Sequence, residues 1–163
     1  MIMSVDALQL TQIPTVKVAM LVRKPSHEAF QAFVDPAITT KFWFTKSTGK
    51  MTAGADLRWD WEMYGVSTKV AVKEVEANRR IRFEWGDDRP TTVELRFTPW
   101  GDGATYVEVT EVGLNGDSGD EVLARVADST GGFTIVLCAL KALLEHDLVL
   151  TVVRDAHPKG LQP

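Results

Sequence analysis

Between Leu57 and Glu111 the chain alternates apolar and polar residues with a period of two, broken at turn signals, and from Asp120 the apolar spacing becomes helical. Leu57, Trp59, Trp61 and Met63 alternate with Arg58, Asp60, Glu62 and Tyr64, and Gly65 allows a turn. Val66, Val70 and Val72 continue the apolar face, and a phase slip to Val75 marks a bulge. Ala77-Asn78 turns the chain into Ile81, Phe83 and Trp85. Gly86 to Pro90 is a loop before Val93, Leu95 and Phe97, and Pro99 to Gly103 leads into a strand ending at Glu111. Upstream, Val16, Val18, Met20 and Val22 share one parity as a first strand. Lys24-Pro25-Ser26 stops it, with Ser26 placed to cap a short helix from His27 to Val34. Asp35-Pro36 opens a second short helix reaching about Phe42.

The last third has a different period. Gly113 to Gly119 reads as a polar loop, and Val122, Leu123 and Val126 form a small stripe interrupted near Ser129 to Gly132. Phe133, Leu137, Leu140 and Leu144 then share one helix face, widened by Ile135, Val136, Ala139 and Leu143. Leu148 to Val153 fits either a continued helix or a final strand. A meander with its helices segregated is an α+β fold: a curved antiparallel sheet of about seven strands wrapped on a long C-terminal helix, with two short helices after the first strand. The expected division is an N-terminal extension over residues 1–14, a single domain over 15–146 and a C-terminal tail over 147–163.

Glu111 shares the parity of Val107 and Val109, and a carboxylate on an apolar sheet face is costly unless it is compensated. If that face lines a cavity, Glu111 is a polar handle that can orient a ligand hydroxyl or act as a general base. If the strand merely ends there, it is a rim residue satisfied by nearby backbone. The aromatic set Trp43, Trp59, Trp61, Phe83, Trp85 and Phe97 has the same two readings, as core filling or as the wall of a ligand pocket.

Composition narrows the function classes. Apolar and charged fractions of 45% and 25% are those of an ordinary globular domain, and a net charge of −4 argues against a nucleic-acid surface. The single cysteine, Cys138, excludes an internal disulfide framework; within the apolar helix it reads as a small buried hydrophobe. His27, His146 and His157 lie far apart, so no metal site or cofactor is expected, and Gly101-Asp102-Gly103 and Gly131-Gly132 read as a turn and a helix start. The first fourteen residues lack a signal pattern, and no apolar stretch approaches a bilayer span. The expected setting is cytoplasmic, without a membrane partner.

The element order and several phrases resemble the START-like (SRPBCC) superfamily with its helix-grip fold, and within it the branch of the activator of heat-shock protein 90 ATPase. The phrases are Val22 to Ser26, Phe42-Trp43-Phe44, Ala53-Gly54, Asn78-Arg79-Arg80-Ile81 before Phe83-Glu84-Trp85-Gly86, Glu111-Val112-Gly113-Leu114, and Gly132-Phe133 ahead of Leu140 to Glu145. The likeness runs from Thr15 to His146; it departs where the family usually has Trp at Phe133 and a Gly pair at Gly54-Ala55. It implies a cavity between sheet and helix but no particular reaction, since functions are grafted onto a shared scaffold. The expected ligand is small and apolar, aromatic or acyl-type. Trp59, Trp61, Phe83, Trp85, Phe97 and Glu111 would line the site from the sheet, Phe133, Leu137 and Leu140 would close it from the helix, and Trp43 would stand at its mouth. A cyclase- or hydrolase-type enzyme using Glu111 is the alternative. The second alternative is a co-chaperone-like module, which would need an apolar or charged docking patch on the convex face, where Arg58, Asp60, Glu62, Arg80, Arg82, Glu84, Glu94 and Arg96 alternate in sign as a solvated surface does. The family's co-chaperone carries an additional N-terminal domain for which this sequence has no room. A homodimer through the unassigned run from Leu148 to Val153 is a further expectation.

Overall fold

A computed structural model describes residues 6–158; residues 1–5 and 159–163, the outer ends of the expected extension and tail, lie outside the described residues. The elements are β1 (Val16–Val22), α1 (Ser26–Val34), α2 (Pro36–Thr39), β2 (Lys46–Ser47), β3 (Asp56–Trp61), β4 (Val66–Glu76), β5 (Arg80–Trp85), β6 (Thr91–Trp100), β7 (Ala104–Val112), α3 (Gly119–His146) and α4 (Val152–Asp155). Seven strands form one antiparallel sheet in the order β1-β7-β6-β5-β4-β3-β2, with α3 packed on it: the α+β helix-grip architecture.

Alternation became burial. Leu57 and Trp59, Val70 and Val72, Ile81 and Phe83, Val93, Leu95 and Phe97, and Val107 and Val109 all point inward and are buried. The register of β4 against β5 shifts between Val72 and Glu74, the bulge that the phase slip predicts. Asn78, at φ 63°, makes the left-handed turn between them. Against this face α3 buries Phe133, Val136, Leu137, Ala139, Leu140 and Leu143, and each of the side chains larger than alanine contributes about 1.5–3 kcal/mol.

Several local expectations are corrected. β3 stops at Trp61, because Glu62–Tyr64 coil into a 3-10 turn closed by left-handed Gly65. The first helix begins at Ser26 behind extended Pro25, whose carbonyl accepts from Glu28 N and Ala29 N; the Ser26 hydroxyl instead meets Thr105. The second ends at Thr39, whose hydroxyl donates back to the carbonyls of Ala32 and Asp35. α3 runs unbroken through Ser129 to Gly132, so Gly131-Gly132 lies mid-helix and is not a helix start. Cys138 is exposed, because it falls outside the buried stripe of Leu137 and Leu140. α3 is also long and apolar enough to match a bilayer span in composition, although it serves here as the core helix.

Both ends of α3 are held. Ser118 accepts from Glu121 N while Glu121 accepts from Asp117 N, a reciprocal cap. At the far end Asp147, at φ 53°, turns the chain out of the helix, with Asp147 N and Leu148 N bonded to the carbonyls of Leu143 and Ala142. The run from Leu148 is therefore neither continued helix nor strand. It leads to α4, where Val152 and Val153 pack against the core.

Candidate functional site

Glu111 is 3% exposed and belongs to the inward parity of β7. It lies opposite Val16 on β1 and Val93 on β6, so its carboxylate leaves the core face at the last inward position of the strand. Three donors converge on it. Trp85 Nε1, from the end of β5, donates to Oε2 at 2.7 Å; the hydroxyl of Thr91, at the start of β6, donates to the same oxygen; and the hydroxyl of Ser129 on α3 donates to Oε1. Trp85 and Thr91 are cross-strand partners, which places both donors at one end of the sheet. Among the described residues no Lys, Arg or His nitrogen lies within 4.0 Å of this carboxylate, so hydrogen bonds rather than an ion pair compensate its burial.

This carboxylate sits in the wall of an open cleft of about 1160 Å³ between the sheet and α3. Trp61, Val66, Thr68 and Trp85 face it from β3, β4 and β5; α3 faces it between Arg125 and Val136; Val153, Ala156 and His157 of the tail form a third side. The tail is held there by Tyr64, whose hydroxyl donates to the carbonyls of Val153 and Arg154. Aromatic rings make the apolar lining continuous. Trp85 lies 5.8 Å from Phe133 at 33°, and Trp43 lies 5.8 Å from each of them. At the rim Arg89 is bonded to Asp117 at 2.8 Å and Glu121 at 3.1 Å. The hydrogen bond and charge of Asp117, with the charge of Glu121, hold its guanidinium above the ordinary value. Arg125 Nη1 donates to the carbonyl of Asn115.

Of the residues expected to form a site, Trp43, Trp61, Trp85, Glu111 and Phe133 face the cleft. Trp43 does so from inside the aromatic cluster, 5% exposed, rather than from its mouth. Trp59, Phe83, Phe97, Leu137 and Leu140 lie in the packed core behind the wall. Trp59 stacks on Phe44 at 4.4 Å, and its buried Nε1 has no partner among the described residues. Sequence reasoning missed Thr91, Ser129, Arg89, Arg125 and Tyr64. Thr91 is the same inward parity carried two residues back from Val93, and Ser129 precedes Phe133 by one helical turn. Treating Ser129 to Gly132 as a break hid the second signal. Among the described residues no group of three or more His, Cys, Asp or Glu side chains converges as metal ligands would.

The architecture is shared with solved proteins. Protein SSP2350 from Staphylococcus saprophyticus is 28% identical with a TM-score of 0.73, over 84% of this chain and 96% of that one. DynU16, a putative protein in the dynemicin biosynthetic locus, is 27% identical with a TM-score of 0.72, over 83% of this chain and 48% of its own, so the present chain spans about half of DynU16. The Aha1 dimer from Colwellia psychrerythraea shares the fold at 14% identity, with a TM-score of 0.70 over 82% of this chain and 97% of that one. No curated protein matches the chain. The family profile described as Activator of Hsp90 ATPase homolog 1-like protein matches residues 23–145, which run from just after β1 through nearly all of α3. The chain belongs to that family, within the START-like superfamily.

Proposed function

We propose that the protein binds a small, largely apolar molecule, aromatic or acyl-type, in the cleft between the sheet and α3, with Glu111 as its polar anchor. The observation that carries this reading is a nearly fully buried carboxylate in the wall of an open, ring-lined cleft. An apolar residue would continue the face of Val107 and Val109 at no desolvation cost. Ligand sites characteristically combine apolar and aromatic walls with a few convergent polar groups. Oε1 accepts a bond from Ser129 alone among the described residues, which leaves acceptor capacity for a ligand hydroxyl or amine. The single cysteine fits a cytoplasmic setting for this role.

Mass spectrometry of the purified protein, native against denatured, tests the reading. A small mass lost on denaturation is the expected result and defines the ligand class. Failure to retain any apolar aromatic or acyl compound, both as purified and after incubation with a panel of them, sinks it.

A catalytic reading draws on one further observation, the Ser129 hydroxyl hydrogen-bonded to Glu111 at the cleft surface. There Glu111 would act as general base or orient the substrate in a cyclase- or hydrolase-type reaction. Turnover that survives Glu111→Gln eliminates Glu111 as the base. The co-chaperone reading has less support, because several of the convex-face charges are already taken up in ion pairs: Arg80 and Arg82 both bind Glu74 at 2.6 Å, and Arg96 binds Glu94 at 3.0 Å. The exposed run Leu148, Val149 and Leu150 is the surface on which a homodimer would rest. Sedimentation at two protein concentrations reads this directly, and a monomer mass at both removes it.

A further inference from the structure

Polarity is graded along the cleft face of α3. Phe133 and Val136 follow Ser129 toward the apolar end, while Arg125 precedes Ser129 by four residues, about 6 Å along the axis. Arg125 is half-buried, and its Nη1 is tied to the Asn115 carbonyl, which orients the guanidinium without neutralising it. Among the described residues no carboxylate oxygen lies within 4.0 Å of Arg125, whereas Arg89 is taken by Asp117 and Glu121. Among the described residues the cleft thus holds one arginine whose charge is uncommitted. Below it Trp85 and Phe133 offer adjacent ring faces, and Gly131 and Gly132 offer bare backbone. A Cβ at either glycine would meet no atom within 4 Å, so there is open space where a ring system can approach the helix.

We propose that the molecule held in this cleft is a flat aromatic anion, with its carboxylate or sulfonate on Arg125 and its rings against Trp85 and Phe133. The inference rests on the ligand-binding reading above. A planar guanidinium, weakly hydrated, suits an oxyanion attached to an aromatic body better than an ammonium would. The helical turn between Arg125 and Ser129 keeps the anion clear of Glu111, and a hydroxyl on the same rings can reach that carboxylate. Asp128, exposed on the rim, opposes the anion, and His157 faces the cleft from the tail.

Fluorescence titration with two probes tests the charge assignment: anilinonaphthalene sulfonate, and phenylnaphthylamine, which has the same rings without the sulfonate. The sulfonate is expected to bind about tenfold more tightly, the scale of one charge-assisted contact. Arg125→Gln should abolish that advantage and leave the neutral probe within about twofold of its parent affinity. Asp128→Asn, which leaves Arg125 and its Asn115 bond intact, should tighten the sulfonate alone. Equal parent affinities for the two probes, or an advantage that survives Arg125→Gln, overturns the proposal while the ligand-binding reading stands. If neither probe binds the folded protein, the proposal falls, and the ligand-binding reading is decided by the mass-spectrometric panel alone.

Discussion

Glutamine at position 111 would keep the side-chain shape and lose an acceptor. The two hydroxyls, Thr91 and Ser129, can rotate to accept from the new amide, but Trp85 Nε1 can only donate. Glu111→Gln should therefore destabilise the fold by about 1–3 kcal/mol in urea unfolding, because a charge-assisted bond is lost in a buried site. Glu145 gives the pH dependence. Burial works against its charge, but the Arg23 backbone N–H at 2.9 Å and the Lys141 ammonium at 2.6 Å outweigh that, and its acid lies below the ordinary value. A depressed folded value means that the stabilisation is present above the unfolded value and is lost as pH falls through the folded one. Glu145→Gln should lower the melting temperature at pH 7, and thermal scans of parent and variant should converge only once the pH falls below the ordinary glutamate range. At this scale the parity of Val107 and Val109 made Glu111's inward orientation legible. Its partners were not, because Thr91 follows a loop and Ser129 precedes two glycines, and each signal is masked by its neighbours.

The glycines of α3 illustrate what an element hides. Gly131 and Gly132 are weak helix formers, and local propensity reads them as a break. The helix crosses them because Phe133, Val136, Leu137 and Leu140 bury on the sheet, and packing overrides propensity. Neither glycine has a left-handed φ, and a Cβ at either finds open space. Gly131→Ala or Gly132→Ala should thus raise stability by up to about 1 kcal/mol, seen as a higher melting temperature. The tail is the second case. Leu148 to Val153 carries no clear period, and its position depends on Asp147 turning the chain back and on Tyr64 at the opposite rim. Tyr64→Phe should speed amide exchange over 152–157 relative to the parent, while exchange in the sheet stays unchanged.

At the level of the whole molecule, the meander and the long helix were legible because each strand buries one face, and a one-residue error of register would invert all of them. Seven antiparallel strands in near-sequential order leave little freedom of topology. The cleft was less legible, since the same inward parity supplies both its wall and the core behind it. Trp59 and Phe83 are indistinguishable by pattern from Trp61 and Trp85, and only depth relative to α3 separates them. The outer face is a lattice of part-exposed ion pairs joining Arg80, Arg82 and Glu74 across the strands. Such pairs are worth little and are screened, so raising salt to about 1 M should change the unfolding free energy by less than about 1 kcal/mol.

The aromatic cluster also makes the protein its own optical reporter. Four of the five tryptophans form a connected set of indoles: Trp43 lies 4.9 Å from Trp59 and 5.8 Å from Trp85, and Trp61 lies 6.3 Å from Trp85. Excitation absorbed by any of them can migrate to the others, while Trp100, 58% exposed, emits separately from solvent. A chromophore or quencher resting on Trp85 would drain the whole antenna and leave the red-shifted emission of Trp100 as an internal standard.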